Sequence, residues 1–64
     1  MRVLFVTTRG AKVGPLDMSA VPRVGESVNI EDHFYGKVAA VDWKIYALDW
    51  PKPSIDVMVT IKEP

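Results

Sequence analysis

An all-β fold is predicted for this 64-residue sequence: a small barrel of four to five antiparallel strands with a long first loop. Three observations predict it. Ile55, Val57, Val59 and Ile61 alternate with Asp56, Met58, Thr60 and Lys62, the period-2 signature of a half-buried strand. Arg2 to Thr8 is dense in β-branched and aromatic residues, which fit a pleated sheet. Two further apolar runs flank the polar tripeptide Glu31-Asp32-His33 in the manner of a hairpin.

Strand one, Arg2–Thr8, is apolar on both faces, with Val3 and Phe5 on one and Leu4 and Val6 on the other. Strands covered on both sides read this way. A small barrel leaves one face wet, so either the following loop or another subunit is expected to cover the second face. The edge of this strand is also a candidate for pairing with a partner or a second copy.

The stretch from Arg9 to Arg23 has no period and is punctuated by Gly10, Gly14, Pro15 and Pro22, so it reads as the long first loop. Leu16, Met18 and Val21 give it apolar anchors to lie on the barrel, with a helical turn near Asp17 to Ala20. A fifth short strand fits either within this loop or at the C-terminus. Strand two, Val24–Ile30, alternates Val28 and Ile30 with Ser27, Asn29 and Glu31, and Gly25 suits a turn with unusual dihedrals.

Glu31 to His33 is the hairpin tip, and Tyr35–Tyr46 is strand three. Its alternation slips: Val38 and Ala40 share one parity, whereas Val41, Trp43 and Ile45 share the other. One strand keeps both sets inward only with a bulge near Ala39 to Val41. By parity Trp43 is expected in the core and Tyr46 outside. Leu48 to Ser54 is a loop, because Pro51 and Pro53 donate nothing to a ladder. Strand four is Ile55–Lys62, and no repeat or domain boundary interrupts residues 1–64.

Composition narrows the function classes. A hydrophobic content of 48% rules against disorder, and with no cysteine neither a disulfide framework nor a cysteine-based zinc site staples the chain. Eight basic side chains balance eight acidic ones, which weighs against nonspecific nucleic-acid binding. The charges are uneven: residues 1–23 carry four cations and one acid, and residues 24–64 carry four lysines and seven acids. Val3 to Val6 is too short for a signal or membrane segment, so a cytoplasmic chain without membrane association is expected.

Catalytic groups are not gathered by any motif. Ser19, Ser27 and Ser54 lack a Gly-x-Ser-x-Gly context, and Gly10 and Gly14 lack the Lys-Ser/Thr of a phosphate loop. His33 is the single histidine and sits beside Glu31 and Asp32, where strand neighbours point apart rather than converge on an ion. No enzyme activity, metal or cofactor is expected.

The pattern PRVGESVNI followed by YGKVAAVDW resembles the Gly-x-x-Val … Gly-x-Val-x-x-Val rhythm of Src-homology-3-like (SH3-like) small barrels, including KOW-type modules, at Gly25, Val28, Ile30, Gly36, Val38 and Val41. Pro22, Val24, Gly25, Glu26 and Val28 also resemble short phage-encoded proteins that end in an alternating valine strand. The resemblance implies an SH3-like barrel and a binding role. Glu26, Glu31, Asp32 and Asp42 make this hairpin acidic, where KOW modules that hold RNA are basic.

The leading functional expectation is a non-enzymatic protein-interaction module, a phage accessory protein that binds and modulates a host or phage protein. Tyr46 and Trp50 are its expected anchors, because Tyr and Trp dominate interface hot spots. Arg9, Lys12 and Arg23 of the long loop, with Met58, complete the expected contact surface. Two alternatives stand beside it. One is a nucleic-acid-binding barrel using Arg2, Arg9, Lys12 and Arg23 beside Tyr46 or Trp50. The other is a structural component that self-associates through strand 2–8, where Leu4, Val6 and Met58 offer an apolar patch.

Overall fold

The computed structural model describes residues 1–47 and 54–64, and Trp50 lies outside them. The architecture is all-β, with five strands in one curled half-barrel sheet, as in a small SH3-like barrel, and no helix among the described residues. The strands are β1 (Arg2–Thr7), β2 (Lys12–Asp17), β3 (Ser27–Ile30), β4 (Phe34–Tyr46) and β5 (Ser54–Lys62), in the order β2-β1-β5-β4-β3. Three ladders are antiparallel. The fourth, β1 with β5, is parallel and runs without a shift from Arg2↔Asp56 to Thr7↔Ile61, which departs from the all-antiparallel expectation. Parallel neighbours need a long crossover, and here β2, β3 and β4 together supply it.

The alternation of β5 and the parity of β1 are as the sequence indicates. Val3, Phe5, Val57, Val59 and Ile61 are buried together with Val38, and the register sets Val3 beside Val57 and Phe5 beside Val59. Each such buried side chain contributes roughly 1.5–3 kcal/mol relative to exposure. Thr7 is the one buried polar side chain among the described residues, and its hydroxyl accepts the Ala11 N–H at 3.1 Å.

The bulge in β4 falls between Val38 and Ala40. Before it Val38 faces the core opposite Ile61; after it Val41 faces Val59 and Trp43 faces Val57. One extra residue thus keeps both apolar sets on the same side of a bending strand. Parity alone does not bury a residue, however. Trp43, expected in the core, is 52% exposed and Ile45 is 62% exposed; among the described residues no strand flanks β4 there on the side away from β5.

The long first loop is the main correction. It contains no helical turn; instead Lys12–Asp17 is the fifth strand, an edge strand on β1. Its ladder skips from Val3↔Leu16 to Phe5↔Val13, so the cis-linked Gly14-Pro15 pair stands opposite the single residue Leu4. An edge is where proline is tolerated in a sheet. β1 therefore has neighbours on both sides, and its edge is closed to a partner or a second copy. Met18 and Val21, after β2, pack against the core cluster rather than on the outer face of β1.

Strand two is shorter than Val24–Ile30. Arg23 to Glu26 turns instead, with Gly25 at φ 91°, the Glu26 N–H donating to the Arg23 carbonyl at 3.0 Å, and the Glu26 carboxylate accepting the Arg23 N–H. The hairpin tip is where the sequence places it: Glu31 and Asp32 take φ of 52° and 60°, and the His33 N–H donates to the Ile30 carbonyl at 3.1 Å. Asn29 secures the turn, its amide accepting from the Asp32 N–H at 2.8 Å and donating to the Asp32 carboxylate at 2.9 Å. At Gly36 a Cβ would collide with the Lys62 carbonyl oxygen, so only glycine lets β4 approach β5 at that point.

Candidate functional site

Because β2, β5 and the first part of β4 bury one face of the sheet, the residues of opposite parity form a second, outward face. Leu4 pairs with Met58 and Met58 with Asp42, and Arg2 pairs with Asp56 and Asp56 with Lys44. An open groove of about 530 Å³ runs across this face. Leu4, Met58 and Pro15 form its apolar floor, Val57 and Trp43 also line it, and Arg2, Asp42, Lys44 and Asp56 border it with charges of both signs. None of the described segments lies over it. Pro15 joins the groove because the bulge of β2 sets the Gly14-Pro15 pair opposite Leu4.

The charges on this face are linked. Arg2 Nε lies 3.6 Å from an Asp56 carboxylate oxygen, and the Lys44 ammonium sits 5.4 Å from the Tyr46 ring centroid. Both contacts are largely exposed, where such pairs contribute about 0–1 kcal/mol, so the side chains remain available to a ligand.

Of the six residues expected to bind a partner, Met58 lies in this groove, and Tyr46 extends the same face along β4. Lys12 is on that face as well, opposite Val6, but at the far end of β1. Arg9 is elsewhere: it pairs with Glu63 at 3.1 Å and reaches the Pro64 carbonyl at 3.4 Å. Arg23 belongs to the turn before β3, and Trp50 lies outside the described residues. The loop cations therefore do not converge. Sequence reasoning missed Pro15 and Arg2 as parts of the groove, because both reach it through ladders between strands far apart in the chain; the apolar Leu4 and Met58 parities were the signal that pointed there.

A second, shallower groove of about 510 Å³ lies on the same face of β3, β4 and β5. Lys37 stands directly opposite Lys62 across the ladder, beside Tyr35, which is 50% exposed. His33 is exposed in the hairpin turn, and among the described residues no three His, Asp or Glu side chains gather as ligands for one ion. No described helix is long and apolar enough to cross a membrane.

Comparisons with protein-family models, curated proteins and solved structures found no match to this chain.

Proposed function

We propose that this protein is a non-enzymatic protein-interaction module whose contact surface is the outward face of β1, β5 and β4. The observation that carries the reading is the groove with an apolar floor of Leu4, Met58 and Pro15, left uncovered by the described chain. Exposed apolar patches with polar rims mark docking sites on soluble proteins. The mixed-sign border of Arg2, Asp42, Lys44 and Asp56 suits a protein segment that inserts an apolar side chain between charged neighbours. Tyr46, held under Lys44, adds an aromatic contact at the end of the groove. The resemblance to short phage-encoded proteins adds the proposal that the partner is a host or phage protein, in which case the chain acts in the host cytoplasm.

Affinity capture with the wild-type protein and with Met58→Asp, both checked for fold by circular dichroism, tests this reading. A stoichiometric protein retained by the wild type and lost from Met58→Asp is expected. A partner held equally by both places the contact elsewhere.

Nucleic-acid binding is the second reading, favoured by one observation: the facing pair Lys37 and Lys62 beside the half-exposed Tyr35. Like charges directly opposite are unfavourable in a sheet, and a phosphate between them would relieve that cost. Fluorescence anisotropy with single-stranded oligonucleotides at low salt checks it. This reading expects binding that weakens steeply with salt and is lost in Lys37→Ala; no binding at low salt removes it.

A further inference from the structure

The sheet has three stretches of open edge, and two of them are guarded. The edge of β2 carries the Gly14-Pro15 bulge, with Lys12 and Asp17 at its ends. The edge of β3 is only four residues long. These are the devices by which sheets avoid pairing with other chains.

The third edge is longer and, among the described residues, has neither proline nor bulge, its charges being Asp42 and Lys44. β3 pairs with β4 only from Phe34 to Lys37, and the turn before β3 adds two bonds at Val38. From Ala40 to Tyr46, β4 pairs with β5 alone among the described residues. This edge is seven residues long, contains no proline or glycine, and its ladder to β5 is unbroken. On its core side it also leaves Trp43 and Ile45 more than half exposed.

We infer that a second copy of this chain docks antiparallel on the β4 edge from Ala40 to Tyr46, joining two sheets across a two-fold axis at Trp43. The charges on the edge carry the choice of occupant and of register. Around a two-fold axis perpendicular to the sheet, facing residues share a side, so the axis passes midway between one residue and its own copy. Centred on Trp43, Asp42 of one copy faces Lys44 of the other, twice. On the core side Trp43 then meets its own copy, and Val41 meets Ile45. A register centred on Asp42 sets carboxylate against carboxylate, and one centred on Lys44 sets ammonium against ammonium. The Trp43 register alone sets Asp42 opposite Lys44; those centred on Asp42 and Lys44 carry the like-charge penalty of facing residues, and those centred on Val41 and Ile45 set no opposite charges against each other. Asp42 forms no ion pair within the described residues, so its charge is available for this contact.

The contact is one strand wide, so it is small for a specific interface and a weak, concentration-dependent association is expected. Asp42 and Lys44 also border the Leu4–Met58 groove, so the contact adjoins its β4 side, while Leu4, Met58 and Pro15 stay outside the contact.

Sedimentation equilibrium over a range of concentrations tests the inference with four variants. Wild type is expected to pass from monomer to dimer. Asp42→Lys and Lys44→Asp each create two like-charge facings and are expected to weaken the dimer by roughly tenfold or more. The double variant D42K/K44D restores opposite charges and is expected to dimerise as wild type does, and an equimolar mixture of the two single variants is expected to form the heterodimer. Leu4→Ser, in the groove but separated from the β4 edge by β5, is expected to leave dimerisation unchanged. A wild type that stays monomeric at all concentrations overturns the inference, as do single variants that dimerise like wild type. Loss of the dimer in Leu4→Ser alone also overturns it, by placing the contact on the groove face.

Discussion

Trp43 faces Val57 across the β4–β5 ladder, yet Val57 is 2% exposed and Trp43 is 52% exposed. The core thus ends between two residues that are neighbours in register. Val57 has Val3 of β1 on its other side, whereas beyond Trp43 no described strand follows. Everything proposed for this chain lies outside that boundary: the groove on the outward face, and the open edge of β4.

Two isoleucines measure the boundary. Ile61 is fully buried and Ile45 is 62% exposed. Ile61→Ala is expected to destabilise the fold by about 2–5 kcal/mol in urea unfolding. Ile45→Ala, measured at a concentration where the chain is monomeric, is expected to change stability by about 0.5 kcal/mol or less. Equal costs at the two positions would mean that the core extends along the whole of β4.

Gly36 is required by contact as well as by its φ of 158°. Gly36→Ala drives a methyl group into the Lys62 backbone oxygen, with the Ile61 side chain at 2.9 Å. Backbone cannot step aside as a side chain can, so a loss of about 1–3 kcal/mol or more is expected in chemical denaturation. Gly10 has open space around its Cβ position and serves as the control for a contact effect, although its φ of 90° adds its own strain.

Removing Ala39 tests the bulge. Deletion of this one residue puts Val38 out of phase with Val41, Trp43 and Ile45, so one of the two sets must turn outward. The deletion variant is expected to be unfolded, or to lose cooperative unfolding, by circular dichroism and calorimetry. A stable, cooperative deletion variant would show that the two halves of β4 do not need a common inside.

At the hairpin tip Glu31 occupies the left-handed region, where a non-glycine residue other than Asn or Asp costs about 1–2 kcal/mol. Its side chain makes no hydrogen bond among the described contacts, unlike Asp32, which bonds Asn29. Glu31→Asn is expected to raise the thermal midpoint, with a gain of about 0.5–1 kcal/mol. Asn29→Ala is expected to lower it by a similar amount through the two lost bonds.

Some of this was legible in the sequence for physical reasons that can be named. The alternation of Ile55 to Ile61 fixes β5, and the parity slip after Val38 places the bulge. The segment around β2 was illegible because Val13 and Leu16 are an odd number of residues apart. A regular strand would send them to opposite faces, and only the Gly14-Pro15 bulge returns both to the core side. Trp43 was misplaced because parity tells which side a residue faces and not whether another segment covers that side. The groove was half legible: Leu4, Val6 and Met58 stood out as apolar residues of outward parity, but Pro15 joins them only once β2 has been paired with β1.

Residue-resolved amide hydrogen exchange on a dilute sample addresses the division between closed core and open edge most directly. Amides of β1 and β5 from Val3 to Phe5 and from Val57 to Ile61 are expected to exchange slowest, while every second amide from Ala40 to Tyr46 exchanges fast and slows as the protein is concentrated. Uniformly slow exchange along Ala40–Tyr46 in the dilute sample would contradict the open edge, and with it the separation of core from recognition surface.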